Sequence, residues 1–233
     1  MSHLNRYGKK QRGKAKRTDQ RQQAGTVKKK RERPAEVHKV EPFRNKEVIR
    51  ETMEALSQDR SPIGERRYLL FATGIYLGRR VSDLLKLTVG QVLNQKEIMI
   101  AEKKTSKAMP LAINSRLQAI YQERLAGRDP SEPLFISSRK SRIAGKVKPI
   151  DRRTAYRDMQ AIARIARIPE GYKIGTHSLR KTFGYWFYKS YKDPEMLRQL
   201  FNHDSIKVTQ IYIGITDDEM RAALKKTKDM YDD

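Results

Sequence analysis

Apolar positions recur at helical spacing through most of the chain after its first forty residues. Val48, Ile49, Met53 and Leu56, with Thr52 on the same face, predict a helix that opens a folded region near Pro42 and stops at Ser61-Pro62. A second helix is expected over Gly64–Leu77, with Leu69, Leu70, Ala72 and Thr73 inward. Gly78-Arg79-Arg80 interrupts that pattern, and Ser82 with Asp83 reads as the cap of a short helix through Leu87. Ile98-Met99-Ile100 and Met109-Pro110-Leu111 read as two strands of a hairpin joined by the polar run Glu102–Lys107. Asn114 or Ser115 starts a helix to Leu125, Leu134-Phe135-Ile136 reads as an isolated strand, and a basic loop runs from Ser138 to Lys148. Further helices are expected from Asp151 (Ala155, Met159, Ile162, Ala163 and Ala166 inward), from Thr176 as N-cap, from Asp193-Pro194, from Ser205, and from Asp217-Asp218 to about Met230. No internal repeat is visible. The pattern predicts a mainly α domain with one small antiparallel β-sheet, an α+β arrangement.

Composition divides the chain. In residues 1–40, Lys and Arg outnumber Asp and Glu 14 to 3, with almost no aliphatic periodicity and a compact run Lys28-Lys29-Lys30-Arg31. Such a segment buries too little apolar surface to offset the ordering of its backbone. Residues 1–41 are therefore expected to be a disordered basic tail, solvated or tracking DNA, and residues 42–233 the folded domain. The whole chain carries +24 over 233 residues, which points to nucleic acid, an anionic membrane or an acidic protein as partner. No apolar run has the length of a membrane span and no secretory signal opens the chain. Zero cysteines exclude disulfides and thiolate zinc sites and fit a reducing cytoplasm.

Candidate chemistry concentrates between Thr176 and Ile215. His177 and Arg180 are three apart, which on a helix places both on one face. His203 follows 23 residues after Arg180, and Tyr212 nine after that. These residue types suit work on a phosphodiester: cations to neutralise the phosphate, an oxygen nucleophile, and groups that move protons. Tyr212 is one of 11 tyrosines; Tyr185, Tyr188 and Tyr191 crowd the preceding helix and read as packing or DNA-contact groups. No clustered carboxylates suggest a magnesium site, so neither metal nor cofactor is expected.

His177-Ser-Leu-Arg180-Lys-Thr-Phe, then Asn202-His203, then Thr209-Gln-Ile-Tyr212-Ile-Gly-Ile resembles the tyrosine recombinase family of phage and transposon integrases. The likeness runs from about Lys46 to about Thr216. In that family an arginine stands in a motif similar to Gly-x-Arg-x-Ser-Glu-Leu, here Gly78-Arg79-Arg80-Val81-Ser82-Asp83-Leu84, which implies a catalytic Arg80 with Arg79 beside it. The resemblance also implies a hairpin lysine that protonates the leaving oxygen; of Lys103, Lys104 and Lys107, Lys104 before Thr105 fits best. Arg80 and Arg180 would clamp the non-bridging oxygens. His177 would assist proton transfer or hydrogen-bond the phosphate, and His203 would donate to it or cap the local turn. Asn202 stands where relatives more often have glycine, and asparagine also tolerates left-handed backbone. Tyr212 would attack DNA to form a covalent 3′-phosphotyrosyl link, as in site-specific recombination or integration. Lys28, Lys29, Lys30, Arg31, Arg79, Lys107 and Lys181 are candidates for further DNA contact.

The resemblance implies double-stranded DNA as partner, a homotetramer on DNA, and an accessory DNA-bending or directionality protein, in a prokaryotic cytoplasm. Relatives usually carry a helical core-binding domain ahead of the catalytic one; here only the tail and one helix precede it. Three other readings share parts of the pattern. They are a type IB topoisomerase-like enzyme, a DNA-binding regulator or truncated relic without strand exchange, and a basic structural or ribosome-associated protein.

Overall fold

Short polar side chains meet the first turn of most helices. The computed structural model describes residues 40–101, 108–138 and 147–214. Within them the order is α1 (Lys46–Gln58), α2 (Pro62–Leu77), α3 (Val81–Leu84), β1 (Glu97–Ala101), β2 (Ala108–Ala112), α4 (Ser115–Leu125), α5 (Arg152–Ile165), α6 (Ser178–Tyr191), α7 (Pro194–Phe201) and α8 (Ile206–Ile213). Asn45, Ser61, Asn114, Asp151, Asp193 and Ser205 each accept a backbone N–H from the helix they open, worth about 1 kcal/mol apiece. Mainly helical, with one antiparallel hairpin, the fold is of the class expected.

Three local expectations are corrected. Helix α3 is entered directly from Arg80, so Ser82 and Asp83 lie inside it instead of capping it, and it ends at Leu84. Leu134-Phe135-Ile136 is no strand: isolated bridges pair Thr88 with Pro133 and Ile136 with Pro149. Helix α6 begins at Ser178, not after a Thr176 cap, because Ser178 closes a turn on Gly175 through its own N–H and hydroxyl. The helix expected over Asp217–Met230 and the basic tail lie outside the described residues.

The core is built around α2. Leu69, Leu70, Phe71, Ala72 and Thr73 are all buried, as its position against α1, α4, α5 and α6 demands. In the hairpin Ile98, Ile100 and Leu111 face that core while Met99 faces outward, 57 % exposed, in the register Glu97↔Ala112 to Ala101↔Ala108. The start of the domain is stitched to α6: the Phe43 N–H donates to Thr182 Oγ1 at 2.9 Å, and Trp186 Nε1 donates to the Phe43 carbonyl at 3.0 Å. Two close approaches set the functional end. Gly78 turns left-handed (φ 61) where any Cβ would strike the Phe183 ring, and a Cβ on Gly184 would meet Ile213 and Phe201 at 2.7–2.8 Å. Among the described residues no helix is long and apolar enough to cross a membrane.

Helices α2 and α5 are joined by a buried ion cluster. Asp158 accepts from Arg66 Nε and Nη2 at 2.8 and 3.1 Å and from Arg67 Nε at 3.2 Å. Removing the carboxylate leaves a guanidinium buried without its counter-charge, a change that costs about 3–5 kcal/mol. Asp158→Ala is therefore expected to lower the urea unfolding free energy of the full chain by that amount at unchanged denaturant slope.

Candidate active site

Four segments distant in sequence converge at one end of α2 and α6. Gly78 ends α2 and delivers Arg80 as the residue that starts α3. The first turn of α6 carries His177 at its N-cap and Arg180 one turn inside. The turn after α7 carries His203, and α8 carries Tyr212.

Arg180 is the most deeply set of these, 1 % exposed. Its Nη1 donates to the Gly78 carbonyl at 3.1 Å, its Nη2 to the Phe201 carbonyl at 2.9 Å, and its guanidinium stacks 4.0 Å from the Phe201 ring centroid. His177 Nδ1 lies 3.2 Å from the Tyr212 hydroxyl. The Tyr212 ring packs edge-on against His203 at 5.1 Å and Phe201 at 5.7 Å. His203 is fixed from the other side by a hydrogen bond between its Nδ1 and Thr209 Oγ1 at 3.0 Å. Asn202, in the glycine position of the motif, adopts left-handed backbone at φ 48.

The electrostatics follow from this crowding. Partial desolvation lowers the His177 pKa, and the nearby cations Arg180, Arg152, Arg80 and Lys181 lower it further. The neutral imidazole is thus the form favoured beside the phenol. Burial raises the Tyr212 pKa, against the pull of Arg180 and Arg80. The phenol is protonated at neutral pH and stands within hydrogen-bond reach of the His177 ring nitrogen.

Of the residues singled out in the sequence, Arg80, His177, Arg180, His203 and Tyr212 share this neighbourhood. Lys104, Lys107 and Lys28–Arg31 lie outside the described residues. Arg79 and Lys181, candidates for DNA contact in the sequence, are turned inward. Arg79 is 2 % exposed and donates to the Leu200 carbonyl; Lys181 is 7 % exposed with its ammonium 5.2 Å from the centre of the Tyr212 ring. Sequence reasoning missed Arg152, the first residue of α5, which bears on His177 across a gap of 25 positions that no spacing rule connects. Its one signal was the exposed basic and aromatic run Arg152, Arg153, Tyr156, Arg157. A groove of about 670 Å³ lined by Ile49, Ile75, Phe183, Trp186, Phe187 and Leu200 contains none of the site residues.

A sequence model of the phage integrase family matches residues 43–219. The chain belongs to that family. It is 38 % identical over 189 residues to the Bacillus subtilis protein named "Probable integrase/recombinase YoeC", covering 81 % of this chain and 97 % of that one. It is 26 % identical over 186 residues to tyrosine recombinase XerC of Caldanaerobacter subterraneus, covering 77 % of this chain and 50 % of the relative. This phage integrase family member thus spans nearly all of the first relative but about half of the second. Among solved structures it shares its fold with XerA recombinase, at a TM-score of 0.62 and 22 % identity, over 86 % of this chain and 67 % of that one.

The four histidines make the site's protonation measurable. In a histidine NMR titration of the full chain, the His177 midpoint is expected below the ordinary 6.5 and is expected to rise in Arg152→Gln, which removes one of the cations that depress it. The unfolded chain binds more protons in the window between the folded and unfolded midpoints. The ring's contribution to stability is therefore full above about 6.5 and is lost as pH falls through that window.

Proposed function

We propose that this phage integrase family member is a site-specific DNA recombinase that breaks and rejoins strands through Tyr212. The reading is carried by the Tyr212 hydroxyl, 3.2 Å from a base in His177 and within the field of Arg80 and Arg180. Arg80 and Arg180 hold the two non-bridging oxygens of the scissile phosphate, where charge grows in the transition state. The Tyr212 oxygen attacks phosphorus as its proton passes to His177. The new P–O(Tyr) bond forms as the P–O5′ bond breaks, and Lys104 delivers a proton to the departing 5′ oxygen. His203 donates a hydrogen bond to the phosphate. A 5′-hydroxyl from a partner strand then displaces the phenol from the 3′-phosphotyrosyl link, so the bond count is conserved.

Double-stranded DNA is the substrate and partner, the working assembly is a homotetramer on DNA, and an accessory DNA-bending protein assists synapsis. The compartment is the cytoplasm. Support for DNA as partner comes from similar solved chains described as DNA-bound, such as XerH on its difH substrate, and from the +24 charge. Lys28–Arg31 and Lys107 supply further phosphate contacts, which makes affinity fall steeply with added salt.

The test incubates the full chain with a pool of nicked suicide duplexes of randomised core and recovers adducts that survive detergent. Wild type is expected to yield an adduct, Tyr212→Phe none, and Arg180→Gln an adduct formed about 10²–10³-fold more slowly. An adduct equally abundant with phenylalanine at 212 overturns the assignment. Joining of a cleaved strand to a new partner, and not only relaxation of supercoils, separates recombination from topoisomerase-like rejoining.

A further inference from the structure

The turn that carries His203 is closed by an unusual set of donors. At the end of α7 the Asn202 N–H bonds back to the Gln199 carbonyl and the His203 N–H to the Arg198 carbonyl, around the left-handed Asn202. This paired closure occupies the carbonyls of Arg198 and Gln199 and leaves the next two, on Leu200 and Phe201, pointing out of the helix end. Phe201 O accepts from Arg180 Nη2 at 2.9 Å. Leu200 O accepts from Arg79 Nη1 at 3.0 Å. Arg198 Nη1 then takes the His203 carbonyl at 3.0 Å. Three guanidiniums from three different helices or turns meet the negative end of one short helix.

Arg79 has no part in the chemistry proposed above and, at 2 % exposure, turns its guanidinium to the Leu200 carbonyl. Its carbonyl partner is one peptide unit from the partner of Arg180 and three residues before His203. We propose that Arg79 is a positioning residue for strand cleavage: it holds Leu200 O from inside and so fixes where the end of α7 presents Phe201 O to Arg180 and where His203 stands beside Tyr212. This rests on the recombinase reading. A lysine at this position reaches one carbonyl as a point charge, without the planar geometry of the guanidinium. Leucine gives that carbonyl no donor. Misplacing reacting groups by about 1 Å costs about 10²-fold in rate.

The test compares wild type, Arg79→Lys, Arg79→Gln and Arg79→Leu as full chains on a duplex recovered from the adduct pool. Adduct formation is expected to slow about 10²-fold in Arg79→Leu and to be partly restored in Arg79→Lys. Affinity for the uncleaved duplex should stay within about twofold, with the same salt dependence, because a buried side chain releases no counterions. The His203 ring resonance should shift in step with the rate while those of His3 and His38 stay in place. Should Arg79→Leu fail to fold, the Lys and Gln variants carry the same readings. Cleavage within about twofold of wild type in every folded variant overturns the proposal. So does weaker binding with a salt slope smaller by about one, which would make Arg79 a phosphate contact. A rate that only tracks thermal stability, with His203 unmoved, overturns it as well. Absence of any wild-type adduct would instead sink the recombinase reading, and the His203 shift then tests the positioning role without DNA.

Discussion

A buried positive charge satisfied by dipoles holds the catalytic end of this fold together. Arg180 leaves α6 and donates to the last carbonyls of two other segments, Gly78 after α2 and Phe201 at the end of α7. Burying a guanidinium is costly unless its N–H groups find acceptors. Two of those acceptors are peptide oxygens at the ends of neighbouring segments. Arg66 and Arg67 instead share the single Asp158 carboxylate, a cluster that joins α2 to α5.

The same logic explains why the site assembles where it does. Gly78 and Gly184 let α6 approach α2 on one side and the α7–α8 pair on the other with no Cβ between. Arg80, His177, Arg180, His203 and Tyr212 therefore line the meeting of four chain segments. None of these residues lines the apolar groove along α6.

Much of this was legible in the chain. Capping residues and apolar spacing gave α1, α2, α4, α5, α7 and α8 to within a few residues, because those signals act over one turn. The five clustered residues were picked out by motif, and His177–Tyr212 contact across 35 positions is the kind of pairing a motif can carry. What stayed hidden was direction. Arg79 and Arg80 are adjacent and chemically identical, and only the left-handed turn at Gly78 decides which of them enters the interior. Lys181 next to Arg180 is a DNA-contact candidate in the sequence, and the first turn of α6 folds it against the Tyr212 ring. Thr176 looked a better cap than anything after it, yet the Ser178 hydroxyl reached Gly175 first.

The α7–α8 pair packs on a small apolar cluster of its own, Leu197, Phe201 and Ile213, separate from the large core around α2. Local opening costs what the opening region itself buries together with the bonds it gives up. Tyr212 packs on that smaller cluster, which the bonds from Arg79 and Arg180 to Leu200 and Phe201 tie to the rest of the fold. In the mechanism proposed above, the tyrosine thus stands on a different apolar seat from the one beneath α2.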